Sequence, residues 1–286
     1  MKVVLSHFFN EALLLPYWLR HHREIFDHGV LIDYGSTDDS VAICKELAPE
    51  WEVIPSENAY FNAVMVDFEV MKHEQRFPGA WKMALNTTEF LVGGKIDSVI
   101  DRLKTDQLHG AYVSGAHMVD NEPGVPLDPS RPLVDQKRHG YSESEIPLKL
   151  AKSKLWLGVP TRNRLLHRHY IGAYTPGRHS TNHRFIGTVD PTDLAIWWYS
   201  YSPWQPEFVA RKLQVQTKID PIDIAVGFGV HHQTTEAELT ERYQFQLGQS
   251  RDLTIGEPRR DPPPPPPPTI KRRVKRWLRQ KVLSND

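Results

Sequence analysis

"KVVLSHFFNEALLLPYWLRHHREIFDHGVLIDYGSTDDSVAICKELAP" runs from Lys2 to Pro49, and its reading decides the fold. "KVVLSHF" has the unbroken apolar run of a buried strand. "EALLLPYWLRHHREIF" (Glu11 to Phe26) places apolar residues at helical spacing, with Asn10 as the expected N-cap and Pro16 either in the first turn or at a kink. "HGVLIDYG" is a second strand that turns at Gly35, and "STDDSVAICKELAP" is a second helix that stops at Pro49. Further on, "WEVIPSE" reads as a strand, "NAVMVDFEVMKHEQ" as a helix and "WKMALNTTEFLV" as a fourth strand. Strand and helix in strict alternation imply parallel pairing through right-handed crossovers, hence an α/β fold built on an open, mainly parallel sheet flanked by helices. Ligands of such sheets gather at the carboxyl ends of the strands, where Asn10, Asp33 and Asn86 to Glu89 all fall.

Composition limits the function classes. With 286 residues, 40% of them hydrophobic, the chain can bury a full core for one large domain, or one and a half. Lysine plus arginine equals aspartate plus glutamate at 35 each, so there is no electrostatic footprint for a nucleic-acid partner. The single cysteine, Cys44, has no disulfide partner in the chain, and no Cys/His cluster has zinc spacing. That usage is compatible with a reducing compartment. Asn10, Glu11 and Arg20 interrupt the apolar N-terminus, so neither a signal peptide nor a membrane-spanning helix is expected there.

The expected organisation is one domain over residues 1–255, with a nucleotide-binding half at 1–109 and a loop-rich acceptor half at 110–255. The later half carries strand-like "GAYVSGAHMV", the proline-rich loop "NEPGVPLDPSRPL", the aromatic run "DLAIWWYSYSPW", the helix "PEFVARKLQVQTKI" and the helix "TTEAELTERYQFQL", for which Thr235 is the expected cap. Residues 256–269 form a linker with seven consecutive prolines, which extend as polyproline II over about 20 Å. Residues 270–286 place Ile270, Val274, Trp277 and Leu278 on one face and seven lysines and arginines around it. This pattern is either a basic amphipathic helix lying on an anionic membrane surface through residues 270–282 or a solvated tail.

Two motifs give the chain a resemblance. Asn10-Glu11 after the first strand and Asp33-Tyr34-Gly35-Ser36-Thr37-Asp38 after the second resemble the N-terminal half of GT-A (nucleotide-diphospho-sugar transferase) glycosyltransferases of the family 2 and family 92-like kind. The resemblance covers about Lys2 to Asp252, leaves the tail unmatched, and implies a glycosyltransferase that moves a sugar from a nucleotide-sugar donor to a glycan or lipid-linked acceptor; a cytoplasmic protein is expected, with attachment to the inner face of the membrane resting on the amphipathic reading of residues 270–282. It also implies donor contacts from Asn10, Glu11, Asp33, Gly35, Asn86, Thr88 and Arg178. A carboxylate at the Asp33 strand end accepts hydrogen bonds from base or ribose, and Gly35 permits the tight turn. Asp38 and Ser36 have an equally good reading as caps of the next helix.

The same resemblance sharpens the polar end of the fourth strand. Where the family has Asp-x-Asp-Glu-Phe-Leu holding a divalent cation, this chain reads Asn86-Thr87-Thr88-Glu89-Phe90-Leu91, with both aspartates replaced. Neutral oxygens bind Mg²⁺ or Mn²⁺ far less strongly than carboxylates. Two accounts stay open: a metal held by Glu89 with a late histidine, His179 ahead of His183, or diphosphate charge met by Lys82, Arg162, Arg164 or Arg178. A third is a non-catalytic protein of the same fold that binds a glycan or partner. Asp120, Glu122, Asp67 and His117 are unranked candidates for a general base, and Trp197, Trp198, Tyr199, Tyr201 and Trp204 divide between core and sugar stacking. No glycine-rich loop follows the first strand, which counts against nucleotidyltransferases, P-loop enzymes and dehydrogenases.

Overall fold

The computed structural model describes residues 1–142, 163–229 and 232–254; Arg162, the proline linker and the basic tail lie outside the described residues. The alternation holds from the start of the chain. β1 (Lys2–Phe8), α1 (Leu15–Arg23), β2 (His28–Asp33), α2 (Ser40–Leu47), β3 (Glu52–Pro55), α3 (Met65–Glu74) and β4 (Trp81–Ala84) follow in order. β1 pairs in parallel with β2 and β4, and β2 with β3, so the crossover helices place all four carboxyl ends on one side. β6 (Gly110–Val113), β9 (Arg164–His167) and β10 (Gly187–Thr188) extend the sheet in the order β10-β6-β9-β4-β1-β2-β3, with β9 alone running against its neighbours. The open, mixed, mainly parallel sheet flanked by helices is therefore present.

The fourth strand differs from its sequence reading. "WKMALNTTEFLV" is two strands, β4 and β5 (Glu89–Val92), in two different sheets. The polar residues between them make the turn: Asn86 N–H donates to Glu89 Oε2 at 2.8 Å, and Glu89 N–H donates to the Asn86 carbonyl at 2.9 Å. "GAYVSGAHMV" breaks in the same way, into β6 and β7 (Gly115–Val119). The second sheet has the order β12-β8-β7-β11-β5, with β8 at His139–Tyr141, β11 at Ala195–Tyr201 and β12 at Arg251–Asp252. Strands from each expected half thus enter both sheets.

β5 is an edge strand, and α1 covers its open side. His21 Nε2 lies 2.7 Å from the Leu91 carbonyl, while Leu91 N–H donates to His22 Nε2 at 3.2 Å. Two imidazoles thereby take the place of a neighbouring strand for the Leu91 peptide groups. Burial holds His22 well below the ordinary histidine range, in keeping with an Nε2 that accepts. Trp18, also on α1 and fully buried, donates from Nε1 to the Glu89 carbonyl at 2.9 Å. α1 itself begins later than its periodicity suggests. Pro16 sits in its first turn, and Asn10 is not its cap but lies outside it in the left-handed region at φ 51°.

The later helices, α4 (Ile96–Thr105), α5 (Leu133–Gln136), α6 (Pro206–Gln214), α7 (Pro221–Ala225) and α8 (Glu236–Leu247), complete the packing. At α8 the expected cap is in place. Thr235 and Glu238 form a reciprocal capping box, which satisfies two N–H groups that would otherwise lack partners.

Candidate functional site

The site begins where β1, β2 and β4 end. β1 lies between the other two, so Asp33 at the end of β2 and Asn86 just past β4 are two strand spacings apart, about 10 Å, on one lip of the sheet. Asp33 is half-buried; its Oδ1 accepts from Ser36 N–H at 2.9 Å, and its Oδ2 has no protein partner among the described residues. Gly35 follows at φ 78°, a conformation that costs glycine nothing and any other residue strain. Asp38 ties the loop down instead of reaching outward. Its Oδ1 accepts from Ser40 N–H at 3.0 Å and its Oδ2 from Ala12 N–H at 3.1 Å.

Asn10 and Glu11 are held by their own chain. Asn10 Oδ1 accepts from Thr37 N–H at 2.7 Å, and its Nδ2 donates to Gln214 Oε1 at 3.1 Å. Glu11 is 5% exposed, and both of its carboxylate oxygens accept from the Arg211 guanidinium. α6 and the 3-10 turn at Val215–Lys218 are thereby strapped over the β1 and β2 ends. The strap carries Lys218, whose ammonium stands 4.6 Å from the Phe9 ring centroid and 3.8 Å from the place a Cβ on Gly35 would occupy. Sequence reading passed over Lys218, because no local pattern marks a lysine that reaches a loop so far back in the chain.

Two buried guanidinium groups fill the Asn86 corner. Arg164, at the start of β9, donates from Nε to Glu89 Oε2 at 2.7 Å and from Nη2 to Oε1; its Nη1 donates to the Gly177 carbonyl at 2.8 Å and to His179 Nδ1 at 3.1 Å. Arg178 donates to Asp67 Oδ1 on α3, to Asn86 Oδ1 at 2.7 Å and to His7 Nδ1 at 3.2 Å. Its Nε is buried with no partner among the described residues, and its backbone lies in the left-handed region at φ 59°. Such strain costs on the order of 1–3 kcal/mol and persists where surrounding bonds hold it. Burial, and then the positive charges of Arg178 and Arg164, hold His7 well below the ordinary histidine range, so its imidazole is neutral and can accept.

Other expected residues fall elsewhere. Thr88 turns toward β11, where its hydroxyl accepts from Trp198 Nε1 at 3.1 Å. Lys82 is fully buried inside the sheet, and its Nζ donates to the Phe77 carbonyl at 3.2 Å, so it cannot serve a diphosphate at the strand ends. His183 is engaged elsewhere, its ring centroid 3.7 Å from that of His169 and its Nε2 2.7 Å from the Ile171 carbonyl. Asp120 is buried against Lys137 at 2.7 Å, and Asp67 against Arg178. His117 is buried with Nδ1 at 3.2 Å from Ser200 Oγ, which leaves Glu122 as the exposed member of the four base candidates. Trp197, Tyr199 and Tyr201 are core, whereas Trp198 and Trp204 are half-buried.

The residues do not fit a divalent cation. Both carboxylate oxygens of Glu89 and Nδ1 of His179 already accept from Arg164, and no group of three or more His, Cys, Asp or Glu side chains converges among the described residues.

No family model matches the chain, and no curated protein matches it. Solved structures do resemble it at low identity. A structure of S. aureus TarS 1-349 in complex with UDP-GlcNAc is 11% identical, with a TM-score of 0.44, over 86% of this chain and 71% of that one. One of glucosyl-3-phosphoglycerate synthase from Mycobacterium tuberculosis, in complex with Mn²⁺, UDP and glucosyl-3-phosphoglycerate, is 13% identical, with a TM-score of 0.40, over 85% of this chain and 80% of that one. Against another TarS structure, 12% identical with a TM-score of 0.40, the match covers 87% of this chain but only 43% of TarS. At such scores any assignment has to be carried by the residues of this chain.

Proposed function

We propose that the protein is a glycosyltransferase of the GT-A kind that takes a nucleotide sugar at the lip formed by the ends of β1, β2 and β4. The observation that supports this reading is the pairing of two corners: Asp33, with an oxygen left to accept from a base or ribose, beside the Asn86 corner across the end of β1. Gly35 lets backbone approach the ligand, and Asn10 and Glu11 serve the donor indirectly by fixing the loop and the strap. The acceptor is a glycan or lipid-linked saccharide, with the exposed Glu122 as the proposed base if the transfer inverts. No helix among the described residues is long and apolar enough to cross a membrane. Attachment to an anionic surface is assigned to residues 270–282, in a protein that works at the cytoplasmic face, where linker 256–269 joins a single domain over 1–255 to the tail 270–286.

The test is thermal stabilisation by UDP, GDP and CMP sugars. A ligand at about 100 times its dissociation constant adds roughly 2.7 kcal/mol to the native state. Selective stabilisation by one nucleotide, followed by sugar transfer to a lipid-linked or glycan acceptor, is the expected result. No stabilisation by any of them would remove the reading.

One observation favours a second reading, a non-catalytic glycan- or partner-binding protein of this fold. Glu89, Asp67 and Asp120 are each neutralised by a buried cation. Donor binding without turnover or hydrolysis would select this alternative.

A further inference from the structure

We propose that Arg164 occupies the place of the divalent cation at the Asn86–Glu89 corner, so that a guanidinium is the resident cation and donor binding is independent of metal. The inference rests on the nucleotide-sugar reading for its ligand, but the arrangement is a property of the chain alone. Four acceptors converge on Arg164: two carboxylate oxygens of Glu89, the carbonyl oxygen of Gly177 and Nδ1 of His179. Oxygen and imidazole donors around one positive charge are a cation's ligand set. Here they are spread to hydrogen-bond distances that suit a planar fork.

Charge balance points the same way. An aspartate at position 86 would set a second carboxylate beside Glu89, and a pair of carboxylates draws in a divalent ion. With Asn86 it holds one, Glu89, and one guanidinium matches it. Both side chains are 3% exposed. A divalent ion added beside Arg164 would set three positive charges against one negative in a poorly solvated place, where repulsion is strong. The side-chain oxygen of Asn86 accepts from Arg178, whose own charge is matched by Asp67. Asn86 in the place of an acid and Arg164 set against Glu89 thus leave the corner neutral without a metal ion.

The test has two independent measurements. Free Mn²⁺ is followed by electron paramagnetic resonance as it is titrated into the EDTA-dialysed, full-length protein without nucleotide. The expected result is no binding below millimolar Mn²⁺; micromolar binding to this corner, abolished in E89Q, would overturn the proposal. UDP affinity is then measured with EDTA and with Mn²⁺. Agreement within about twofold is expected, and a tenfold gain on adding Mn²⁺ would overturn it. If UDP binds in neither condition, the nucleotide-sugar reading falls, while the Mn²⁺ titration still decides the role of Arg164. R164A should acquire Mn²⁺ affinity as Glu89 and His179 are released, and a folded R164A that acquires none also counts against the proposal. Should R164A not fold, the wild-type titration stands by itself.

Discussion

Glu11 and Arg211, 200 positions apart in the chain, meet as a two-pronged ion pair in which both carboxylate oxygens of Glu11 accept from one guanidinium. The pair is mostly buried, with side-chain exposures of 7% and 12%. It fastens the strap to the end of β1. Removing one member leaves the other charge without a partner, and breaking such a pair costs about 3–5 kcal/mol. R211A is therefore expected to lose about that much stability in urea denaturation, with E11Q somewhat less affected. A loss below about 1 kcal/mol for both would mean that the strap is held by other contacts.

Lys218 is a cation that the strap sets at the ends of β1 and β2, over Phe9 and next to Gly35. If a nucleotide binds there, K218A should weaken it about tenfold, the size of one hydrogen bond to a charged group. Stability should stay within about 0.5 kcal/mol, as for other surface substitutions. Calorimetry of UDP binding checks this, and an unchanged dissociation constant would remove Lys218 from the site.

Thr235 supplies one half of the capping box at α8. T235A should cost about 1 kcal/mol, because the N–H of Glu238 loses its acceptor. In a domain of this size that lowers the midpoint of thermal unfolding by about 2–4 °C. A midpoint that does not move would show that α8 is held by its packing against Tyr141 and Trp204 alone.

Histidines give the fold an acid limit. Burial, then the neighbouring His183, His167 and His109 and the ammonium of Lys82, push His169 down to about 4 from 6.5. Because the folded value is the lower one, the unfolded chain takes the proton first as pH falls. The stability contributed by neutral His169 is therefore complete above about pH 6.5 and is lost as pH drops toward 4. His7 and His22, held neutral chiefly by burial, act in the same direction. Denaturation midpoints measured from pH 7.5 to 4.5 should fall, and less steeply in H169N. Parallel profiles for the two proteins would exclude His169 as a contributor.

Much of this fold is legible along the chain. Short unbroken apolar runs mark β1 and β2, strands buried on both faces, while apolar residues about every 3.6 positions mark the helices α1 and α2 between them. The turn at Gly35 and the cap at Thr235 are equally local. Asn86 to Glu89 were harder to read. Their polarity marks an end to β4, but whether the chain stops, meets a ligand or crosses to a second sheet depends on which strands lie near, and β11 and α1 decide that.

The helix α3 shows the same limit from another side. Asp67, Glu69 and Glu74 are buried on it, an arrangement that a periodicity analysis treats as noise. Each acid has a partner from far away in sequence: Arg178 for Asp67, Tyr34 for Glu69, and His167 with Tyr174 for Glu74. The sequence by itself determined the α/β alternation, the polar ends of the strands and the neutral residues at 86 and 88, since these depend on residue type and local spacing. Only the tertiary structure decided that Arg164 faces Glu89, that Arg178 faces Asp67 and that Lys218 reaches the loop at Gly35. A charge carries no record of its partner until packing has brought the two together and water has been excluded from between them.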